Sequence, residues 1–201
     1  MAKRNLALAQ VAAKGDTKKI DALLDAGADI NAPADGGSPL HIAITSGSLR
    51  GARHLIARGA ELDVVDKEEL TPLMLACSEG KTKGSTIALA LIEAGADVSK
   101  RREADGMSAL EFAVKDAKPE VVAALIAAGA PVDGPPERLQ TPAMLAVRAG
   151  NKATLQALID QGADLSIESK LPWAKGLDCL GIAKLEKRQG MVRLLEALAD
   201  L

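Results

Sequence analysis

Aromatic residues are almost missing from this chain: its 201 residues include one Trp, one Phe and no Tyr. That excludes a core organised around packed rings, which elsewhere supply much of the buried apolar area. Cysteine is scarce too. Cys77 and Cys179 stand far apart, cannot frame a disulfide-stapled scaffold, and read as small, reduced, partly buried thiols. No run of about 18 apolar residues occurs, so no helical membrane span is expected. An excess of either charge is also lacking: 25 Lys and Arg stand against 27 Asp and Glu, a formal net charge of -2. Basic residues are dispersed, and the densest group, Lys184, Lys187 and Arg188, has Glu186 in its middle. Without a basic stripe, neither nucleic acid nor an anionic membrane is expected as partner. The opening "MAKRNLALAQVAAKGD" has the basic start of a signal peptide, but Gln10 and Lys14 interrupt its apolar run. It reads better as an amphipathic helix, with a cytoplasmic location and no export signal expected.

What the chain has in abundance is repetition. "GADIN" at 27–31 returns as "GAELD" at 59–63, "GADVS" at 95–99, "GAPVD" at 129–133 and "GADLS" at 162–166. The leading glycines are 32, 36, 34 and 33 residues apart. A second phrase lies between them: "SPLHIA" from Ser38, "TPLMLA" from Thr71, "SALEFA" from Ser108, "TPAMLA" from Thr141 and, weakly, "DCLGIA" from Asp178. Two phrases at matching offsets mean a stack of small units.

Each unit has a physical reading. Ser or Thr before Pro is a helix N-cap followed by Pro at the first helical position. A short helix such as "PLHIAITSG" ends at Gly47; a second, "SLRGARHLIARG", ends at Gly59, where a left-handed cap suits glycine. Val121, Val122, Leu125 and Ile126 recur at helical spacing. The polar, turn-rich "NAPADGGS" then leads to the next unit. The unit is helix, tight turn, helix, extended loop, and the class is all-α. Helix pairs stacked about 8–10 Å apart need small residues at close approaches, which explains the abundance of Ala. No unit can bury its apolar face alone, so the core must run along the whole stack.

These phrases resemble the ankyrin repeat family over nearly the whole chain. The match is best at Ser38–His41 with Gly59–Asp63, and at Thr71–Met74 with Gly95–Asp97. The resemblance implies a solenoid of stacked antiparallel helix pairs with extended finger loops, a single domain over 1–201. Six repeats are expected, at about 3–27, 28–59, 60–95, 96–129, 130–162 and 163–201, the outer two acting as caps. In the last helix, "MVRLLEALADL", Leu194, Leu198 and Leu201 are expected inward, with Arg193 and Glu196 outward.

Several departures stand out. "GKTKGST" at 80–86 lengthens the turn between the helices of the third repeat by about three residues. Ala117 replaces the inter-helix glycine of the fourth, before Pro119, and Pro131 replaces Asp in the fifth loop. In the sixth repeat the inter-helix turn is read as stretched by about three residues before Gly190, and the preceding loop, which holds Trp173, is about four residues too long.

The search for chemistry finds little. Gly80-Lys81-Thr82 imitates a phosphate loop, but the glycine required five residues earlier is Leu75, within a helix, so the segment reads as a solvated turn. The resemblance implies that His41 is a structural imidazole bonded to loop backbone. His54 has no Cys or acid at metal-ligand spacing. Asp and Glu fall on helix exteriors and loops and read as solvated faces. No catalytic residues, metal or cofactor are expected, and the chain is read as not an enzyme.

What remains is recognition. The resemblance implies a concave face built from finger loops and first helices, binding a protein partner as adaptor or inhibitor, in a monomer; a bacterial immunity protein that neutralises a toxin enzyme and a host-directed effector are the alternatives. Candidate finger residues are Lys67, Glu68, Leu70, Asp105, Met107, Glu137, Arg138, Trp173 and Lys175; candidate palm residues are Glu79, Lys115 and Arg148. Leu70, Met107 and Leu177 are apolar where loop tips are usually polar, although Leu70 and Leu177 would equally pack along the stack of fingers. Arg138 and Arg148 are long donors in neighbouring slots. Trp173 has two readings: a ring covering the apolar edge of the last repeat, or an aromatic anchor at the rim of the face.

Overall fold

The computed structural model describes residues 2–116 and 118–199. Among them twelve helices form six consecutive pairs: α1 (Ala2–Lys14) with α2 (Thr17–Asp25), α3 (Pro39–Thr45) with α4 (Leu49–Ala57), α5 (Pro72–Ser78) with α6 (Lys81–Glu93), α7 (Ala109–Asp116) with α8 (Pro119–Ala127), α9 (Pro142–Ala149) with α10 (Lys152–Asp160), and α11 (Cys179–Leu185) with α12 (Gln189–Ala199). No strand occurs among the described residues, although two finger loops are each closed by a single antiparallel bridge, Ala34 to Gly37 and Arg101 to Ser108.

Local chemistry sets the helix boundaries. Thr71 Oγ1 accepts from the Met74 N–H at 3.2 Å, Thr141 Oγ1 from Met144 at 3.3 Å, and Asp178 Oδ1 from Gly181 at 2.7 Å. Pro39, Pro72 and Pro142 stand just inside their helices, where no N–H is needed. The second helices of the first, second and fifth pairs are capped by Asp16, Ser48 and Asn151.

The core is continuous along the stack, from Leu8 and Ile20 through Leu73, Ile87 and Leu125 to Ile182 and Leu195. Aliphatic residues fill it and neither aromatic is in it: Phe112 packs partly against it, and Trp173 is 47% exposed. Close approach explains the small residues. A Cβ on Gly51 of α4 would lie 2.1 Å from the Ala12 carbonyl oxygen of α1. Both cysteines are buried and free, and burial pushes each thiol up to about 12.

Three expectations are corrected. "GKTKGST" is not a lengthened turn: α6 begins at Lys81 and runs 13 residues, so the insertion extends the helix at its N-terminus. The sixth pair has no stretched turn either. In the second, third and fifth pairs the glycine nine residues after the cap, Gly47, Gly80 and Gly150, takes a φ of 65°, 51° and 72°. Lys187 occupies that slot in the sixth at φ 55°, and Gly190 lies inside α12. The register is therefore intact and the left-handed residue carries a side chain. Finally, the inward face of α12 is Met191, Val192 and Leu195; Leu194 and Leu198 are half-buried, while Arg193 and Glu196 are exposed as expected. Leu201 and Ala117 lie outside the described residues.

Candidate protein-binding face

Each finger loop ends in the cap of the next first helix, so helix register fixes where its residues point. Neighbouring fingers are tied in series. Lys67 Nζ lies 3.4 Å from Asp35 Oδ1, and the Ala104 N–H donates to Glu69 Oε2 at 2.8 Å. Arg138 Nη1 donates to the Asp105 carbonyl at 2.5 Å, and the Lys170 N–H to the Leu139 carbonyl at 2.8 Å. A second ladder runs through the loops after the second helices. Asn31 Oδ1, Asp63 Oδ1 and Asp133 Oδ1 accept from the N–H of Glu61, Asp97 and Asp164, each at 2.9 Å. One rung is missing, where Ser99 would face Pro131, which has no N–H to give. Ser99 Oγ instead donates to Asp97 Oδ1 in its own loop, at 2.6 Å.

At two of the first helices the third position carries a polar side chain that joins one unit to the next, each in its own way. In α3 it is His41, fully buried: Nδ1 accepts from the Ser38 N–H at 3.2 Å, so Nε2 carries the proton it donates to the Leu70 carbonyl at 3.0 Å. Burial holds this imidazole below its ordinary value, with the Leu70 carbonyl opposing that shift. The structural role implied for His41 is thus what the geometry gives. In α7 the same position is Glu111, 2% exposed. Its Oε2 accepts from both the N–H and the Oγ of Ser108 at 2.7 Å, the side-chain-to-cap half of a capping box. Its Oε1 lies 2.8 Å from Arg138 Nε, close enough for an ion pair but out of line for a hydrogen bond; Arg101 Nη1 is 3.6 Å from Oε2. Glu111 is therefore not part of a solvated face, as the acids were expected to be. Its signal was in the sequence: Ser108 with Glu111 repeats the spacing of Ser38 with His41.

Between α7 and α9 lies a cleft of about 320 Å³ lined by Met107, Lys115, Arg138, Gln140, Leu145, Arg148 and Ala149. Four of the expected residues thus converge. Arg148 is fixed from three sides: Nε is 3.1 Å from Glu186 Oε1, Nη1 donates to Gln140 Oε1 at 3.0 Å, and its guanidinium carbon sits 4.9 Å from the centre of the Trp173 ring. Trp173 therefore does not cover the end of the stack; it reaches back over the fifth unit. The residues added to its loop permit this, with Gly176 N–H and Ser169 N–H bonding to the carbonyls of Ser169 and Leu177.

The remaining candidates are scattered. Leu70 is 5% exposed and belongs to the core, which removes it from the face; its packing follows from the His41 bond to its own carbonyl. Leu177 is likewise partly buried against the core. Lys67, Glu68, Glu79, Glu137 and Lys175 are exposed but not brought into the cleft. Asp105 pairs with Arg102, whose hydrogen bond holds its carboxyl below the ordinary value. Sequence reading missed Leu139 and Leu185, each 51% exposed, and Glu186. His54 has a partner distant in sequence: Asp21 Oδ1 lies 2.8 Å from its Nε2, and Arg58 also reaches Asp21. No group of three or more potential metal ligands occurs among the described residues, and no described helix is long and apolar enough to cross a membrane.

Comparison with known proteins agrees with this architecture. The family pattern described as ankyrin repeats (3 copies) matches residues 3–66, 46–134 and 83–169. "Ankyrin repeat protein nuc-2" of Neurospora crassa is 30% identical over 187 residues, 87% of this chain, but the match spans only 17% of that protein. A chain of the structure of the predatory endopeptidase Bd0816 from Bdellovibrio bacteriovorus in complex with immunity protein Bd3460 is 25% identical, with a TM-score of 0.79, covering 94% of this chain and 96% of that one. An ankyrin repeat domain from Acinetobacter baumannii AYE is 26% identical, with a TM-score of 0.77 over the same shares.

Proposed function

From a chain that belongs to the ankyrin repeat family, as this one does, we infer a binding module that holds a protein partner against the concave side of its C-terminal half. The ankyrin fold is generally a non-catalytic interaction fold, and its repeats bind protein partners. The observation that carries the location is the placing of exposed apolar side chains beside the oriented arginines Arg138 and Arg148. Of the six large ones among the described residues, Leu139, Trp173 and Leu185 stand in the last two fingers and the last first helix, whereas Leu6, Val65 and Leu89 are scattered through the first three units. At the register of Leu185, the second and third units carry Thr45 and Ser78 instead. Exposed apolar groups beside fixed arginines are the composition of interface hot spots.

The module acts by covering or recruiting its partner, as adaptor or inhibitor, and the proposal includes a cytoplasmic monomer. A second reading is an immunity-type protein that covers a toxin enzyme; the near full-length similarity to a chain of the Bdellovibrio endopeptidase–immunity complex supports it. Pull-down from the native cell with mass spectrometry tests both. Trp173→Ala is expected to lower recovery of the captured protein about tenfold, the size of a modest hot spot. Undiminished recovery, with the helical circular dichroism intact, would remove the partner from this half of the face.

A further inference from the structure

The cleft between α7 and α9 has a chemistry of its own. Its floor is apolar, from Met107 and the nearly buried Leu145, and its rim carries Lys115, Arg138 and Arg148 with no carboxylate in the lining. Around it, charge is out of balance. Arg101 and Arg138 share the single carboxylate of Glu111, and Arg148 and Arg188 share that of Glu186. Lys115 is exposed and has no ion-pair partner among the described residues. In these ion pairs four arginines share two carboxylates, and Lys115 is left over; Asp105, Asp116 and Glu137 lie nearby but outside the lining. The volume of about 320 Å³, at the low end for ligand pockets, has room for one or two side chains.

We propose that this cleft receives a carboxylate side chain of the partner, an Asp or Glu with an apolar neighbour, in an extended segment laid across the palm. The proposal rests on the concave-face reading and adds the partner's chemistry. Lys115 supplies the free charge. The guanidinium of Arg148, already oriented by Glu186, Gln140 and the Trp173 ring, offers its remaining N–H groups without having to be ordered. Met107 and Leu145 take the apolar neighbour. A nucleic-acid phosphate fits less well, because Asp105, Asp116 and Glu137 are exposed on the adjoining finger and helix and would repel a polyanion.

Trp173 is the only tryptophan and stacks on Arg148, so its fluorescence reports directly on the cleft. The test titrates the full chain with a pool of short peptides in which Glu or Asp is flanked by Leu or Ile, with the same pool carrying Lys in place of the acid, and with a single-stranded oligonucleotide. The expected result is a change in Trp173 emission with the acidic pool alone, weakened at high salt and at least tenfold weaker in Lys115→Glu. Lys115 makes no structural contact that this substitution would break, and Ser78→Glu, one unit earlier on the palm, controls for added negative charge. A response equal for acidic and lysine pools, or larger for the oligonucleotide, overturns the proposal. So does full affinity of Lys115→Glu for the protein recovered by pull-down. In that last case weakening by Leu185→Asp keeps the concave-face reading alive, whereas indifference to both substitutions ends the two together.

Discussion

The two joints built on the third residue of a first helix make one molecule do two different things. At α3 the joint is a neutral imidazole that spans from the Ser38 N–H to the Leu70 carbonyl and faces nothing but protein. At α7 the same slot holds Glu111, which repeats the inward bond to Ser108 but reaches the next unit through Arg138. The slot demands neither histidine nor a polar group, since Met74, Met144 and Gly181 hold it in other first helices; where it does carry a polar joint, the group accepts from the helix cap and meets the following finger. Changing the residue from neutral to anionic brings a cation with it. That cation lines the cleft. In the N-terminal half the joint is structure alone, and in the C-terminal half the joint also furnishes the face.

The sharpest way to break this comparison is at the charged joint. Glu111→Ala leaves Arg138 with a buried, uncompensated guanidinium nitrogen, and a loss of about 3 kcal/mol is expected in urea unfolding. A loss no greater than that of His41→Ala would make the joints equivalent. For His41→Ala the expected loss is about 2 kcal/mol, because a buried N–H and a buried carbonyl lose their partner. The two joints should also differ in pH response. The folded-state value of His41 lies below the ordinary 6.5, so the unfolded chain binds the proton more readily. Its stabilisation is complete above about 6.5 and declines as pH falls from there toward the folded value. A His41→Gln variant is expected to lose that part of the slope, measured by thermal melts from neutral pH downward, and an unchanged slope would assign it elsewhere.

Two smaller effects sharpen the contrast between the ends of the stack. Lys187→Gly relieves a left-handed residue where the second, third and fifth units use glycine, with an expected gain of about 1 kcal/mol. Gly47→Lys in the N-terminal half should lose a similar amount or more, since a Cβ there meets Lys83 Cδ at 2.7 Å. The smallest effect is the missing rung. Neither Ser99→Asp nor Pro131→Ala alone should add stability, but together they supply acceptor and donor, with an expected coupling of about 0.5–1 kcal/mol in a double-mutant cycle. Additive effects would show that the rung does not form.

The fold was legible because its determinants are local and repeated: a cap, a proline and a glycine recur at fixed offsets, and each acts within one turn of chain. The site was less legible because its determinants lie between units. Lys115, Arg138 and Arg148 were recognisable as long cations on the right register, and the cleft joins them. Leu70 was legible either as an exposed tip or as packing along the fingers; the bonds that hold its backbone come from Asp66 in its own loop and from His41, 29 residues earlier, and the second is invisible in the loop sequence. Glu111 was taken for a surface acid although its spacing from Ser108 matched that of His41 from Ser38. The sixth turn was misjudged by following glycine instead of register, and Lys187 held the place. Trp173 had two readings, a cover for the end of the stack or an anchor at the rim, and chain position alone could not choose; the longer loop folds back and puts the ring on Arg148.

The missing rung also bears on modularity. Units of this kind look interchangeable, since each presents the same faces to its neighbours. The loop ladder says otherwise. A unit beginning at Pro131 offers no N–H, and the unit before it carries Ser99 where Asn31, Asp63 and Asp133 stand in others. Moved behind the second or third unit, the Pro131 unit would leave a carboxamide or carboxylate facing a proline ring. The fourth and fifth units are therefore a matched pair, and the order of the repeats is written into their hydrogen-bonding groups. A library that shuffles these units should keep 96–162 together.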